Sequence, residues 1–277
     1  MSIFRHEYTR YEGPILPTAR RFTMITGTEL RRLYREKWLR RLILLAWSPA
    51  LILAARLYLT MVIGQAFGES EAPDEVYLML FRAEAWFVAI LLAAFGASMI
   101  SRDRTNGSFV LYFTRPLNAA QYLLGKLTAV LVMVLGITLV PGVLLALAQL
   151  LMSPSADFAH FLTVVGKLTV CSLLVGCMVS NLILILSSLS RSTRFAGITW
   201  LALFVFLEIA RNILTQALGS WPILDLISVH RLFIASAEYL LLGRSTGLPA
   251  VIAVALLNVF LIPALWVRIS MLEREQT

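Results

Sequence analysis

Long apolar stretches, separated by short charged segments, dominate the chain from residue 42 onward. Most of them hold about 20 residues or more, which is the length that an α-helix needs to cross a bilayer. Their apolar residues follow one another without alternation, and this favours helices over the strands of a membrane barrel. The six stretches lie at about 42–63, 83–101, 122–150, 161–188, 195–215 and 248–268. The pattern therefore predicts an all-α integral membrane protein with six transmembrane helices.

Two further segments carry weaker patterns. Between about Pro17 and Trp38, apolar residues recur at helical spacing and arginines take the other face. This predicts an N-terminal, cytoplasmic amphipathic helix in the membrane interface, with a solvated basic leader as the alternative. Residues 216–247 are too apolar for a solvated loop and too interrupted for a span. There we predict short, re-entrant-like outer helices; the alternative, a full crossing, would move the C-terminus outside.

The composition indicates that lipid surrounds much of this chain. Hydrophobic residues make up 59% of the sequence and charged residues 14%, and the mean hydropathy is +0.80. Soluble proteins carry about 25% charged residues. The net charge of +8 is concentrated at the flanks of the apolar stretches, so we attribute it to membrane topology and expect no nucleic-acid partner.

Basic residues outside the spans set the predicted orientation. The segments 1–41, 102–121 and 189–194 are rich in arginine, whereas the loop 64–80 is acidic and has no lysine or arginine. Arginine-rich segments face the cytoplasm by the positive-inside rule, and six spans then place both termini there. The expected organisation is a cytoplasmic N-terminal segment at 1–41, a transmembrane domain at 42–268 and a cytoplasmic tail at 269–277.

The sequence lacks the residue patterns of common catalytic and nucleotide sites. It contains no H-E-x-x-H, no G-x-S-x-G and no G-x-x-x-x-G-K-S/T motif, and its three histidines are scattered. Cys171 and Cys177 are six residues apart, or about 240° around a helix, which suits neither a disulfide nor a shared metal. We therefore expect a non-enzymatic chain that binds no cofactor or metal itself, so ATP-driven work would need a separate ATPase.

The segment between the second and third spans carries the most specific pattern. It contains Asp103, Gly107-Ser108 and Arg115-Pro116-Leu117, and the third span opens with Leu124-Gly125-Lys126. This order resembles the ABC-2 type family of ABC transporter permeases, as do the basic leader and the re-entrant-like stretch. The chain departs from the family at Thr105, because the family often has a second glutamate before the glycine.

The resemblance implies a function and a set of partners. The chain would be the transmembrane subunit of an ATP-driven exporter in the bacterial inner membrane, surrounded by membrane lipid. It would pair with a second, identical permease chain and with two ATPase subunits, which would bind ATP and Mg. No substrate is indicated. The expected contacts with the ATPase lie in the segments 102–118 and 189–194: Asp103, Arg104, Gly107, Ser108, Arg115, Pro116, Arg191 and Arg194.

Elementary physical chemistry gives the segment 102–118 a mechanical role. Asp103 near a helix start would interact favourably with the helix dipole. Gly107 allows either a close backbone approach or a tight turn. Pro116 would end a short helix at Ser108–Thr114 and redirect the chain. These features predict a stiff plug that a motor protein could grip, with an ordinary charged loop as the alternative.

Charged residues within the fifth span form a second candidate site. Glu208 and Arg211 are three residues apart, so they share a helix face and are predicted to pair. Ionised groups at such depth usually face protein or water. The two residues are candidates for a translocation path or gate, with a structural ion pair as the alternative. Asn181 and Asn258 are predicted to hydrogen-bond between helices.

Other classes of function remain open at this point. A secondary transporter would need several buried carboxylates or paired broken helices, and Glu208 is the one buried acid that the sequence suggests. A non-transporting membrane anchor subunit would need no such site, and an intramembrane enzyme would need a catalytic group that the motifs do not provide. Co-purification with an ATPase would distinguish the ABC permease from these alternatives.

Overall fold

The computed structural model describes residues 21–60, 74–108, 118–152, 158–219 and 221–274, and the regular structure within these ranges is helical, with no strand. The α-helices are α1 Phe22–Arg35, α2 Lys37–Ala46, α3 Ser48–Leu59, α4 Glu75–Leu91, α5 Ser98–Thr105, α6 Ala119–Met152, α7 Phe158–Leu189, α8 Thr193–Leu218, α9 Val229–Leu242 and α10 Leu248–Arg274. A π-helical turn, Leu92–Gly96, joins α4 to α5 in one continuous rod.

Six helical rods in the described ranges are long and apolar enough to cross a membrane, which confirms the predicted fold class. The second rod begins at Glu75 rather than near residue 83, because Arg82 and Glu84 lie within the helix and do not end it. The six rods are Lys37–Leu59, Glu75–Thr105, Ala119–Met152, Phe158–Leu189, Thr193–Leu218 and Ser245–Leu272.

Helices α4, α6 and α7 form the core of the bundle. In the most apolar windows of their rods, 56%, 50% and 61% of the residues are buried, against 17% in each of the other three rods. The indole of Trp200 on α8 is buried and donates a hydrogen bond to the carbonyl of Ala89 on α4 at 2.9 Å. The three less buried rods lie at the periphery, where their apolar faces can contact lipid or another chain.

Polar side chains connect α7 to α10 as the sequence predicts. The Nδ2 atom of Asn181 donates to Oδ1 of Asn258 at 3.0 Å, and Asn258 donates in turn to the carbonyl of Leu174 at 3.1 Å. The other face of α7 lies close to α6. At Gly176 on that face, a Cβ would stand 3.1 Å from Cδ1 of Leu131. The predicted hydrogen bond between Asn181 and Asn258 is therefore confirmed.

The apolar face predicted for the segment up to Trp38 does not pack as a single surface. Ile25 and Leu33 are buried, together with the carboxylate residue Glu29, because this side of α1 packs against α6. Tyr34 on α1 and Trp38 on α2 are apolar residues of the predicted amphipathic segment, but they are 63% and 51% exposed. The location of α1 in a membrane interface stays a prediction.

The stretch 216–247 forms short helices, as predicted. Helix α8 ends at Leu218, and the 3₁₀ turns Pro222–Leu226 and Ser245–Gly247 lie on either side of α9. Helix α9 has 14 residues, which gives a length of about 21 Å, shorter than the hydrocarbon core of about 30 Å. It packs against α4, α7 and α10, so the stretch does not add a seventh crossing.

Candidate functional site

One end of the bundle joins the two segments that we predicted to receive the ATPase. We call it the basic end: α5 and α7 finish there, and α6 and α8 begin there. The hydroxyl of Thr105 donates to the carbonyl of Arg191 at 2.9 Å, and Nη1 of Arg104 donates to the carbonyl of Ser188 at 3.3 Å. The end of α5 and the turn after α7 thus form one connected surface.

Exposed arginines cluster at the basic end. The predicted contact residues Arg191 and Arg194 are exposed, and so is Arg102, which was not among the predicted contacts. Arg104 is half-buried by its contact with the carbonyl of Ser188. A protein that docks on this surface would meet a cluster of cations. Its contact patch would therefore be expected to carry acidic groups.

Part of the predicted plug lies outside the described residues. Residues 109–117 belong to this part, and they include Arg115, Pro116 and most of the predicted helix Ser108–Thr114. Ser108 is described and lines a cleft at the basic end.

Gly107 forms a tight turn directly after α5. Its φ angle is +65°, and among the described residues no atom would lie within 4 Å of a Cβ added there. Of the two roles that the sequence allowed, the positive φ angle supports the tight turn.

Asp103 lies in the last turn of α5 and not at a helix start, so the predicted favourable interaction with a helix dipole was wrong. An acidic group at this end of a helix is unfavourable by itself. A buried cation compensates for it: Nζ of Lys126 on α6 lies 2.7 Å from Oδ2 of Asp103 and 2.5 Å from Oε1 of Glu29 on α1. Tyr122 also donates its hydroxyl to Oδ2 of Asp103 at 2.8 Å. The Asp103 carboxylate thus points into the protein.

A polar cleft of about 240 Å³ opens beside this group of charges. Thr28, Glu29 and Arg32 of α1 form one wall, and Arg102 and Asn106 at the end of α5 belong to the other. Side chains of both signs line the cleft, so it suits a polar segment of a partner protein better than an apolar ligand.

At the opposite end of the bundle, Glu208 and Arg211 do not pair with each other. Nη2 of Arg211 lies 2.6 Å from Oδ1 of Asp225. Oε2 of Glu208 accepts a hydrogen bond from the hydroxyl of Ser228 at 2.6 Å and lies 3.4 Å from Nδ1 of His230. The predicted ion pair was wrong, because the chain after α8 folds back and offers each residue a closer partner.

These contacts continue across α9 to α4. Nε of Arg231 lies 3.1 Å from Oδ2 of Asp225, and its Nη1 lies 2.9 Å from Oε1 of Glu238. The same oxygen of Glu238 lies 3.1 Å from Nη2 of Arg82. The resulting α9 charge network joins two acids to three arginines and ties α9 to its neighbours. Its members are Arg82, Arg211, Asp225, Arg231 and Glu238. Glu208 lies beside it, through its contacts with Ser228 and His230.

His230 lies beside the α9 charge network in an aromatic setting. Its ring centroid is 4.8 Å from that of Trp86 and 5.5 Å from that of Phe204. Burial lowers the pKa of His230 from its ordinary value of 6.5, and this effect outweighs the opposing attraction of the Glu208 carboxylate. The imidazole is therefore neutral at neutral pH.

Several charged residues were not predicted as functional: Arg82, Asp225, Arg231 and Glu238 of the α9 charge network, and also Glu29, Lys126 and Glu84. Glu29 and Lys126 belong to the buried group at the basic end, and a lysine within an apolar span was the available signal for it. Glu84 on α4 is fully buried, and both of its carboxyl oxygens are without a hydrogen-bond partner in the described part of the chain. We had placed Glu84 at the edge of a span, where an acidic residue is unremarkable. The same part of the chain contains no group of His, Cys, Asp and Glu that could hold a metal ion.

Comparison with known families agrees with this architecture. The family model of ABC-2 family transporter proteins matches residues 53–271, well over half of the chain. A comparison with curated proteins found no match. The match includes both segments of the basic end and the whole α9 charge network. The six helical rods define a multi-pass membrane protein, and the chain belongs to the ABC-2 family, as the permease subunit of an ABC transporter.

Proposed function

We propose that this permease exports its substrate and receives ATP-driven motion at the basic end. Two separate ATPase subunits would bind ATP and Mg and dock on the segments 102–118 and 189–194. A second, identical permease chain would complete the translocation path. The peripheral rods, in which 17% of the apolar window is buried, have apolar surface to offer to that chain and to lipid.

The contact between the end of α5 and the turn after α7 is the observation that carries this proposal. The hydrogen bond from Thr105 to Arg191 joins the two segments, and Arg104 donates to the carbonyl of Ser188 in the last turn of α7. Helix α5 continues the α4 rod, and the turn connects α7 to α8. A displacement applied at the basic end would therefore move three membrane rods together.

The distribution of charge supports a cytoplasmic location for the basic end. Exposed arginines at positions 102, 191 and 194 fit the cytoplasmic side of a bacterial inner membrane by the positive-inside rule. Segment 1–41 and tail 269–277 would then also lie in the cytoplasm, and α9 would lie toward the outer leaflet.

The α9 charge network, with Glu208 beside it, is proposed to hold an outer gate. Arg211→Met would remove one partner of Asp225, while Arg231 would keep the other contact with that carboxylate. Glu208→Gln would weaken the acceptor of the Ser228 hydroxyl. Both variants are expected to assemble normally and to transport less. If both variants transport as well as the native chain, the network has a purely structural role and does not hold a gate.

Co-purification from the native membrane tests the docking proposal. The tagged full chain is purified in mild detergent, and its companions are identified and assayed for ATP turnover in lipid nanodiscs. We expect an ABC ATPase at a fixed ratio to the permease. The double variant Arg191→Glu, Arg194→Glu should lose this ATPase, because it places acidic groups against a surface expected to be acidic.

Arg40→Glu with Arg41→Glu is the matched control, because both arginines are exposed on α2 and lie outside the proposed contact segments. This control should keep the ATPase. An ATPase that never accompanies the native chain, or one lost equally from both double variants, would contradict docking at the basic end. If the chain transports a substrate without an ATPase, it would instead be a secondary transporter. If it has neither an ATPase nor transport activity, it would be a membrane anchor.

A further inference from the structure

Helix α1 packs against α6 at Gly125, where a larger residue would not fit. A Cβ at Gly125 would stand 2.7 Å from Cβ of Ile25 and 2.9 Å from the carbonyl oxygen of Phe22. The hydroxyl of Thr26 donates to the carbonyl of Gly125 at 3.0 Å. These contacts fix the N-terminal helix against the start of α6, one residue before Lys126.

Lys126 then connects three helices through one charged group. Its side chain is fully buried, and its ammonium lies between the carboxylates of Glu29 on α1 and Asp103 on α5, at 2.5 Å and 2.7 Å. Glu29 and Asp103 are themselves 7% and 9% exposed. Each of the three charges comes from a different helix, so the spacing of the helices depends on the group as a whole.

The charge of the Lys126 ammonium is needed to hold α1 and α5 at their observed spacing. Without Lys126, two largely buried carboxylates on two helices would face each other, and each would lose its closest counter-charge. Arg32 lies 3.6 Å from the other oxygen of Glu29 and is partly exposed, so it is a weaker and more distant counter-charge than the buried ammonium. The carboxylates of Glu29 and Asp103 would then be expected to move apart.

We propose that Lys126 is a positioning residue of this permease. Its buried ammonium sets the spacing between α1 and α5, and this spacing fixes the orientation of the turn at Gly107 within the segment 102–118. The inference rests on the proposed function, in which that segment receives the motion of the ATPase. It adds that the N-terminal helix and the segment 102–118 respond to that motion as one unit.

Distance measurements on the full-length permease alone test the positioning role. Spin labels are attached to cysteines introduced at Thr28 and Asn106, which are exposed and line the two walls of the cleft, in a background with both native cysteines replaced by alanine. Lys126 is changed to Met, which keeps the length and removes the charge. We expect a narrow distance distribution in the parent chain and a broader distribution, displaced to longer distances, in Lys126→Met.

Lys167→Met is the matched control. Lys167 lies on α7 and donates to the carbonyl of Leu241 on α9, at 3.0 Å, near the other end of the bundle. This variant should leave the distribution between positions 28 and 106 unchanged. An unchanged distribution in Lys126→Met, or an equal change in Lys167→Met, would overturn the positioning role.

A second variant keeps the proposal testable if Lys126→Met does not fold. Glu29→Gln combined with Lys126→Met removes one carboxylate together with the ammonium and leaves Asp103 with the Tyr122 hydroxyl. It should fold, and it should still show the broad distribution, because the link between α1 and α5 is absent. A narrow distribution in this double variant would contradict the proposal.

ATP turnover of the assembled complex separates this inference from the proposed function. Lys126→Met should still bind the ATPase, but it should change the rate of ATP turnover much less than the native permease does. Lys167→Met should change this rate as much as the native permease does. If no ATPase associates with the native chain, the proposed function fails, and the distances still decide whether Lys126 positions α1 and α5.

Discussion

Gly107 and Gly27 show that open space around a glycine does not make it replaceable. In the described part of the chain, a Cβ would meet no atom within 4 Å at either position, but Gly107 has a φ of +65°, whereas Gly27 lies within α1 with an ordinary helical backbone. Gly107→Ala should lower the free energy of unfolding by about 1–2 kcal/mol, because L-residues are strained in the left-handed region.

Gly27→Ala is the matched control and should raise the free energy of unfolding by up to about 1 kcal/mol through helix propensity. Thermal unfolding of the purified permease in detergent measures both. Equal effects of the two substitutions would contradict the turn assigned to Gly107.

Substitution of Glu84 is expected to stabilise the protein, in contrast to substitution of Gly107. Its carboxyl oxygens have no hydrogen-bond partner in the described part of the chain, and the residue is fully buried. Glu84→Met should therefore increase the free energy of unfolding by about 1–3 kcal/mol, the cost of an unsatisfied buried polar group. Glu75→Met is the control: Glu75 pairs at the surface with Arg244, and its loss should cost at most about 1 kcal/mol. A destabilised Glu84→Met would mean that this carboxyl has a partner in the assembled transporter.

At the scale of elements, the attachment of α1 depends on one helix surface. Gly125→Ala places a Cβ 2.7 Å from Cβ of Ile25, whereas Gly136→Ala on the same helix meets no atom of the described residues within 4 Å. We expect Gly125→Ala to cost about 1–3 kcal/mol through overpacking and to increase hydrogen exchange of the α1 amides. Gly136→Ala should leave that exchange unchanged. Protected α1 amides in Gly125→Ala would show that the close contact is not needed.

Helix α9 should respond to pH through His230. Its pKa is lowered in the folded protein from the ordinary value of 6.5, so the unfolded chain takes up the proton first as the pH falls. The contribution of neutral His230 to the free energy of unfolding is present above the pKa that the residue has in the unfolded chain. This contribution is lost as the pH falls below that value. Between about pH 7.5 and pH 5.5, His230→Gln should therefore lose less thermal stability than the native chain.

His160→Gln is the control for this titration. His160 lies 3.5 Å from Asp74, and 43% of its side chain is exposed. Because this histidine is partly exposed, a difference from the native chain that is confined to His230→Gln would identify burial at position 230 as the cause. Parallel pH profiles for His230→Gln and the native chain would contradict the role of burial at His230.

At the scale of the whole molecule, the two ends of the bundle should lie on opposite sides of the membrane. Cysteines introduced at Arg191, on the basic end, and at Arg244, beyond α9, are exposed positions. A membrane-impermeant thiol reagent should label Arg244→Cys in cells with a permeable outer envelope, and Arg191→Cys only after the inner membrane is opened. The reverse pattern would place the basic end outside and remove its access to an ATPase.

The six rods and the family could be predicted from the sequence because both depend on local patterns. A rod needs a continuous apolar stretch as long as the bilayer is thick, and the resemblance rests on residues within the segment 100–126. The bond between Asn181 and Asn258 was predictable for a similar reason, since polar groups in apolar helices seek partners on neighbouring helices.

The pairing of charges was decided by the tertiary structure alone. Spacing along a helix led us to join Glu208 to Arg211 and to place Asp103 at a helix start, and both predictions were wrong. Lys126 instead meets Glu29, which is 97 positions away, because packing brings α1 and α6 together at Gly125. The sequence determined which segments lie in the membrane, since hydrophobic length is a local property; the fold determined which charges meet, since an ion pair depends on distance in space.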